Sequence, residues 1–246
     1  MLRSDFLVHW TGKDIGLDPS TLTNVAKQKY VDRLFSILDS GFWMTEPPEP
    51  EHVQGNGESW FKYRTPQVCF TEIRMTQVLA HAQVYGLAGI VVSRKFVLDR
   101  FGTPVIYVRN HQNETLVTNL NVVLNYLETR DTAGDSTATN AKNALGDAIA
   151  RLKAMSSINT DDFKYLEEQE WRVIHLFRLE DDRFARPNGG GHPKYFLNLA
   201  PVDVQGLVFP DNDCRSMVLN HPNFTAWLKN RPPLAFTLTL DECQLF

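Results

Sequence analysis

Two glutamates two residues apart, Glu168 and Glu170, sit just before the apolar run of Trp171 to Leu179. Side chains along a strand alternate between faces, so a Glu-x-Glu spacing turns both carboxylates the same way. The plain alternative is a solvated strand entry, because Glu167 adds a third acid beside them and Glu is seldom buried unless paired. His9 closes a short apolar segment, where it serves either as a ligand-holding imidazole or as a half-buried strand-end side chain bonded to backbone. Glu72 and Arg74 are also two apart and share a face; Arg74 either clamps a phosphate with two parallel hydrogen bonds or pairs with a carboxylate. Arg172 has the same two readings, a pyrophosphate contact or a buried link to Glu72. Cys69 precedes Phe70 in an apolar segment, and no His and Asn partners are legible for it, so an inert thiol is favoured over a nucleophile. Tyr85 and Tyr107 are placed either for stacking on a flat ring or for the core.

The elements that must hold these residues follow from periodicity. Asp5 to Trp10 reads as a strand stopped by Thr11-Gly12. From Asn24 to Asp39, Val31, Leu34, Phe35 and Leu38 recur at helical spacing, and Ser40-Gly41 closes that helix. Glu46 to Gly57 carries three prolines and two glycines and reads as a loop. Gln67 to Arg74 is a strand, Thr76 to Tyr85 a helix, and GIVVSR and PVIYVR are strands separated by the short helical piece KFVLDRFG. Helices are expected over Leu116 to Arg130, Asn140 to Ala154 and Cys214 to Lys229, with the polar stretch Asp131 to Asn140 as a mobile loop, linker or lid. Strands are expected at Trp171 to Leu179, within YFLNLAPVDVQGLVFP and at LAFTLTL. Strands outnumber helices without strict alternation, so the fold class is α+β around a mixed or split sheet with flanking helices.

Composition bounds the function. A length of 246 residues with 43% hydrophobic and 22% charged side chains suits one globular domain, 1–246. No apolar run reaches the roughly 18 residues needed to span a bilayer, and the start lacks the apolar core of a secretory signal, so the expected location is cytoplasmic, with no membrane partner. Three scattered cysteines give neither a disulfide framework nor a Cys-x-x-Cys pair, and the seven histidines show no pairing on a helix face, so no metal is expected. A net charge of −4 disfavours broad capture of nucleic acid. The single Asn188-Gly189-Gly190-Gly191 turn has neither the strand-to-helix setting nor the Lys of a phosphate cradle.

Taken in order, CFTEI at Cys69, YGLAGIVVSRKFVLDRFGTPVIYV at Tyr85 and EWRVI at Glu170 resemble the AbiGi-type abortive phage-resistance family, over roughly Val8 to Phe209. That resemblance implies an antitoxin-like member of a bacterial antiphage toxin–antitoxin system and a protein partner from the same system. His9-Trp10-Thr11 and Ile37-Leu38-Asp39-Ser40-Gly41 are similar to the opening of ADP-ribosyltransferase-like proteins of the DarT type. This wider likeness implies an ADP-ribosyltransferase-like fold with NAD as substrate. It places the ribose on His9, with Thr11 beside it in the motif, and Glu170 with Glu168 as the catalytic carboxylates; Tyr85 and Tyr107, by their aromatic rings, and Arg74, by its guanidinium, are the candidates to meet nicotinamide and phosphate. Departure of nicotinamide leaves positive charge on the ribose carbon, which a carboxylate against the sugar stabilises. ADP-ribose would then pass to a nucleic acid or protein, or to water in a plain NAD hydrolase. The non-catalytic alternative uses the same fold as an interaction surface. Transfer chemistry sets a geometric condition: His9 and Glu170 must lie on neighbouring strands and open into one concave site.

Overall fold

A computed structural model of the protein describes residues 5–45, 53–55, 58–60, 65–72, 77–110, 115–156, 169–175, 183–185, 195–229 and 233–245. Strand β1 (Phe6–Thr11) leads to helix α1 (Asn24–Ser40), whose N-cap Thr23 accepts a hydrogen bond from Ala26 N–H and whose buried stripe is Tyr30, Val31, Leu34, Ile37 and Leu38. The helix stops at Gly41, which takes φ +94° while its N–H still bonds Ile37 O. A side chain there would meet the Leu197 carbonyl at 2.4 Å, so the glycine is required by strand packing. Next come β2 (Phe42–Met44), the hairpin β3 (Val53–Gly55) and β4 (Glu58–Trp60), β5 (Gln67–Thr71) and helix α2 (Val78–Tyr85). Gly86 ends α2 at φ +122°, where a Cβ would lie 2.2 Å from the Thr11 carbonyl. That close approach seats α2 on the end of β1.

The chain continues through β6 (Ala88–Ser93), α3 (Arg94–Asp99), β7 (Thr103–Pro104), β8 (Ile106–Asn110), α4 (Thr115–Thr132), α5 (Ser136–Ile149), β9 (Leu152–Ser156), β10 (Glu170–Ile174) and β11 (Phe184–Ala185). It closes with β12 (Tyr195–Leu197), β13 (Val204–Phe209), α6 (Asn212–Leu219), α7 (Pro222–Leu228), β14 (Phe236–Thr239) and α8 (Leu240–Cys243). Seven strands form the main sheet in the order β14-β13-β6-β1-β5-β10-β7. Only its β13–β14 pair is parallel, so the sheet is mixed and the α+β class holds. One face packs Leu7, Phe70, Ile90 and Val173 against α1, α3, α6, α7 and β2. The other packs Val8, Trp10, Val91 and Val208 against α2 and α8. Alternation along each strand supplies both clusters at once.

Several sequence expectations give way: Val53–Gly55 within the loop expected over Glu46 to Gly57 is β3, and the helix expected to reach Ala154 ends at Ile149, with Leu152–Ser156 forming β9. Asp131 to Asn140 is no loop: α4 runs to Thr132 and α5 starts at Ser136, around a turn with Gly134 at φ +83°. The Asp135 carboxylate caps α5 by accepting from Thr137 and Ala138 N–H, and Asp131 binds Thr139 Oγ1 and Lys142 Nζ, so the polar residues serve as caps. The helix expected over Cys214 to Lys229 is two helices, because Pro222 cannot continue the first and starts the second with His221 as N-cap. PVIYVR divides at Val105: β7 stays with β10, while β8 leaves the main sheet to run parallel to β9. The Gly-rich turn at Asn188 to Pro193 lies outside the described residues. Among the described residues no helix is long and apolar enough to cross a membrane.

Candidate functional site

Glu170 opens β10 and is buried, with its side chain in an ionic cluster. Arg172 Nε–H donates to Glu170 Oε1 at 2.7 Å, and Lys153 Nζ on β9 donates to Oε2 at 2.8 Å. Arg172 Nη1 also reaches the carbonyls of Ala150 at 3.0 Å and Leu152 at 3.4 Å, tying the end of α5 and the start of β9 to the main sheet. Burial alone would raise the Glu170 carboxyl, but the Arg172 and Lys153 charges and hydrogen bonds outweigh it and hold the pKa at about 2. Glu170 is therefore an ion-paired carboxylate with one cation on each oxygen. Tyr107, in register beside Lys153 across the β8–β9 pair, accepts a long 3.5 Å contact from the Glu170 N–H. Cys69 faces the same cluster. Burial and the nearby Glu170 charge push its thiol far above the usual range, as fits an inert cysteine.

His9 stands elsewhere. Val8 lies opposite Thr71, and Thr71 lies opposite Glu170, so these three share one face of the sheet. His9 is one residue on from Val8 and points to the other face. Its surroundings agree: the imidazole sits 4.8 Å from the Phe42 ring and 5.8 Å from Phe70, both in the α1-side core. Its Nδ1–H donates to Cys69 O at 2.9 Å. Burial lowers its pKa to about 4, against a smaller opposite push from that bond, so His9 is neutral at neutral pH. This is the backbone-bonded strand-end histidine of the plainer reading. The condition set for transfer chemistry is not met: β5 separates the two strands, and the two side chains occupy opposite faces.

The remaining candidates divide between the faces. Thr11, buried and paired with Ala88, lies on the His9 face two residues further along β1. Tyr85 ends α2, half-buried against the Val8 and Trp10 cluster, with its ring 6.0 Å from His81. Tyr107 alone accompanies Glu170. Glu168 and Arg74 lie outside the described residues. Of the two readings of Arg172, the link to Glu72 is not formed: Arg172 takes Glu170, and Glu72 takes Arg94 at 2.5 Å with Trp171 Nε1–H at 3.2 Å. Trp171 and Arg172 are both buried, because β10 is covered on both sides.

Sequence reading missed Lys153 and Arg94. Lys153 is 17 residues from Glu170 and on a strand outside the main sheet, so only pairing of β9 with β8 reveals it. Arg94 offered a faint signal as the first residue after a strand, where a side chain can fold back over the sheet end. Among the described residues, no group of three or more His, Cys, Asp and Glu side chains is arranged to hold a metal.

The family model described as "Putative abortive phage resistance protein AbiGi, antitoxin" matches residues 57–183, just over half of the chain. The match takes in the Cys69, Tyr85 and Glu170 segments and is narrower than the span from Val8 to Phe209. No curated protein and no solved structure gives a match. The stretch that builds the Glu170 cluster, from β5 to β10, thus lies within the matched region, and the chain belongs to the AbiGi family of abortive phage resistance proteins.

Proposed function

We propose that this chain is the antitoxin-type component of an abortive-infection system and acts by contact with a protein partner of the same system, without chemistry on NAD. The observation that carries this is the state of Glu170, whose two oxygens are each engaged by a cation, the buried Arg172 and the partly buried Lys153, while His9 faces the other side of the sheet. A carboxylate that stabilises a ribose oxocarbenium ion must offer the sugar an oxygen, and the ribose-holding histidine must stand in the same cleft. Freeing Glu170 would break its ion pairs with both Lys153 and Arg172. Among the described residues, His9 and Glu170 therefore do not share one site for NAD.

The test uses NAD labelled in its adenylate half, incubated with the purified protein alone and with RNA, DNA or cell lysate. The label is expected to stay in NAD under every condition. Release of ADP-ribose, or label transfer that disappears in Glu170→Gln, would overturn the non-catalytic reading. On the binding side, co-expression with the toxin of its own system should restore growth, and His9→Gln should restore it equally well.

A further inference from the structure

Strands β8 and β9 pair in parallel with each other and with no strand of the main sheet, and α4 and α5 lie on the connection between them. Among the described residues, the buried apolar side chains of this unit, Val108, Ala138, Ile149 and Leu152, belong to neither of the two clusters that hold the main sheet. The hairpin β3–β4, which lies against α4, is also outside the main sheet. What joins the unit to the sheet is polar. Val105 N–H donates to Glu170 O at 2.8 Å just before β8 begins, Arg172 Nη1 holds the carbonyls of Ala150 and Leu152, and Lys153 Nζ holds Glu170 Oε2. Glu170 and Arg172 are themselves linked at 2.7 Å, so these bonds all run through two residues of β10. A few hydrogen bonds and ion pairs cost little net free energy to part once water replaces the partners, whereas a shared apolar core resists parting in proportion to its area.

We infer that the β8–α4–α5–β9 unit is a conformational module, clasped to the main sheet by the Glu170, Arg172 and Lys153 cluster, and that it opens as one piece while the seven-stranded sheet stays folded. Segments with a small core and few apolar ties to the rest of a fold are the ones that open below the global unfolding free energy. Opening parts Lys153 and the Ala150 and Leu152 carbonyls from β10 and uncovers the face of β5 and β10 that carries Cys69, Glu170 and Arg172. The protein thus has two states of one surface, and a ligand that meets Glu170 or Arg172 directly draws it toward the open one. The inference rests on packing alone and stands apart from the antitoxin reading.

Native-state hydrogen exchange of the full chain, followed residue by residue in a urea series below the unfolding transition, tests this. Amides of β9 and of the interior of α5 are expected to exchange at least about tenfold faster than those of β1, β6 and β13, and to merge on one common opening as urea rises. Ile90→Val weakens the main core alone, since Ile90 is fully buried on β6 and keeps its packing when the module opens. It should speed exchange in β1, β6 and β13 about two- to tenfold and leave the module amides unchanged. Lys153→Met should speed both groups by the same factor, roughly tenfold, because its bond to Glu170 is lost in either opening. Should that variant fail to fold, the Ile90→Val comparison decides alone. The inference is overturned if β9 and α5 exchange at the rate of β1 and β6, or if Ile90→Val moves both groups together. It is equally overturned if a folded Lys153→Met leaves the module amides unchanged.

Discussion

Glu170→Gln separates a structural carboxylate from a catalytic one by what it does to stability. The substitution keeps shape and volume but removes the charge that Lys153 and Arg172 share at 2.8 and 2.7 Å. A carboxyl brought down by its partners from an ordinary 4.5 to about 2 contributes about 3 kcal/mol of folding free energy. Because the folded pKa is depressed, that contribution is present above the unfolded value of 4.5 and is lost as pH falls through about 2. At neutral pH the variant should therefore melt lower than the parent by about 6–12 °C, given a slope of roughly 2–4 °C per kcal/mol for a chain of this size. The assay is urea and thermal unfolding of both proteins in a buffer series from neutral pH to pH 2. Their stabilities should converge between about pH 4.5 and 2, since the parent alone has this carboxylate to protonate. Equal melting temperatures at neutral pH, or parallel acid profiles, would refute the ion-paired assignment and return Glu170 to the list of free carboxylates.

Three further outcomes follow. His9 is held neutral down to about pH 4 against an ordinary 6.5, so its contribution is present above 6.5 and lost as pH falls toward 4; His9→Gln should flatten the stability profile in that window, read by the same unfolding series or by the imidazole NMR titration. Tyr30 Oη bonds the carbonyls of Gly16 at 2.5 Å and Gly12 at 3.0 Å and accepts from Leu87 N–H at 3.2 Å, so Tyr30→Phe should cost about 1–3 kcal/mol in urea unfolding with no loss of helix by circular dichroism. Burial pushes the Cys214 and Cys243 thiols up to about 12 and about 11, and that of Cys69 higher still, so a thiol reagent at neutral pH should label the native chain far more slowly than the chain in denaturant.

Much of the molecule is fixed by local sequence. The periodicity of Val31, Leu34 and Leu38, with Thr23 ahead and Gly41 behind, determines α1 without reference to the rest of the chain, and alternation in DFLVHW, QVCFT and EWRVI determines three strands of the main sheet. The α+β class follows from the order of these elements. Even the glycines legible as motif letters, Gly41 and Gly86, are real constraints, although their cause is the approach of the Leu197 and Thr11 carbonyls, which lie far away in sequence. Polar stretches misled where a side chain caps a helix: Asp131 to Asn140 has loop composition because Asp135 and Asp131 satisfy backbone and side-chain donors at the α4–α5 turn.

What tertiary structure alone decided is which face each functional candidate occupies. A strand's residues alternate whatever their neighbours, so the sequence states that Glu170 and Arg172 share a face but leaves silent whether that face is also His9's. The answer depends on register, with Val8 opposite Thr71 and Thr71 opposite Glu170, and a shift of one residue would have reversed it. Register is set by burying Phe70 and Val173 on one side and Val8 and Trp10 on the other, a demand of the whole core that no segment carries by itself. The same holds for Lys153, which reaches Glu170 only because β8 leaves the main sheet and brings β9 beside it.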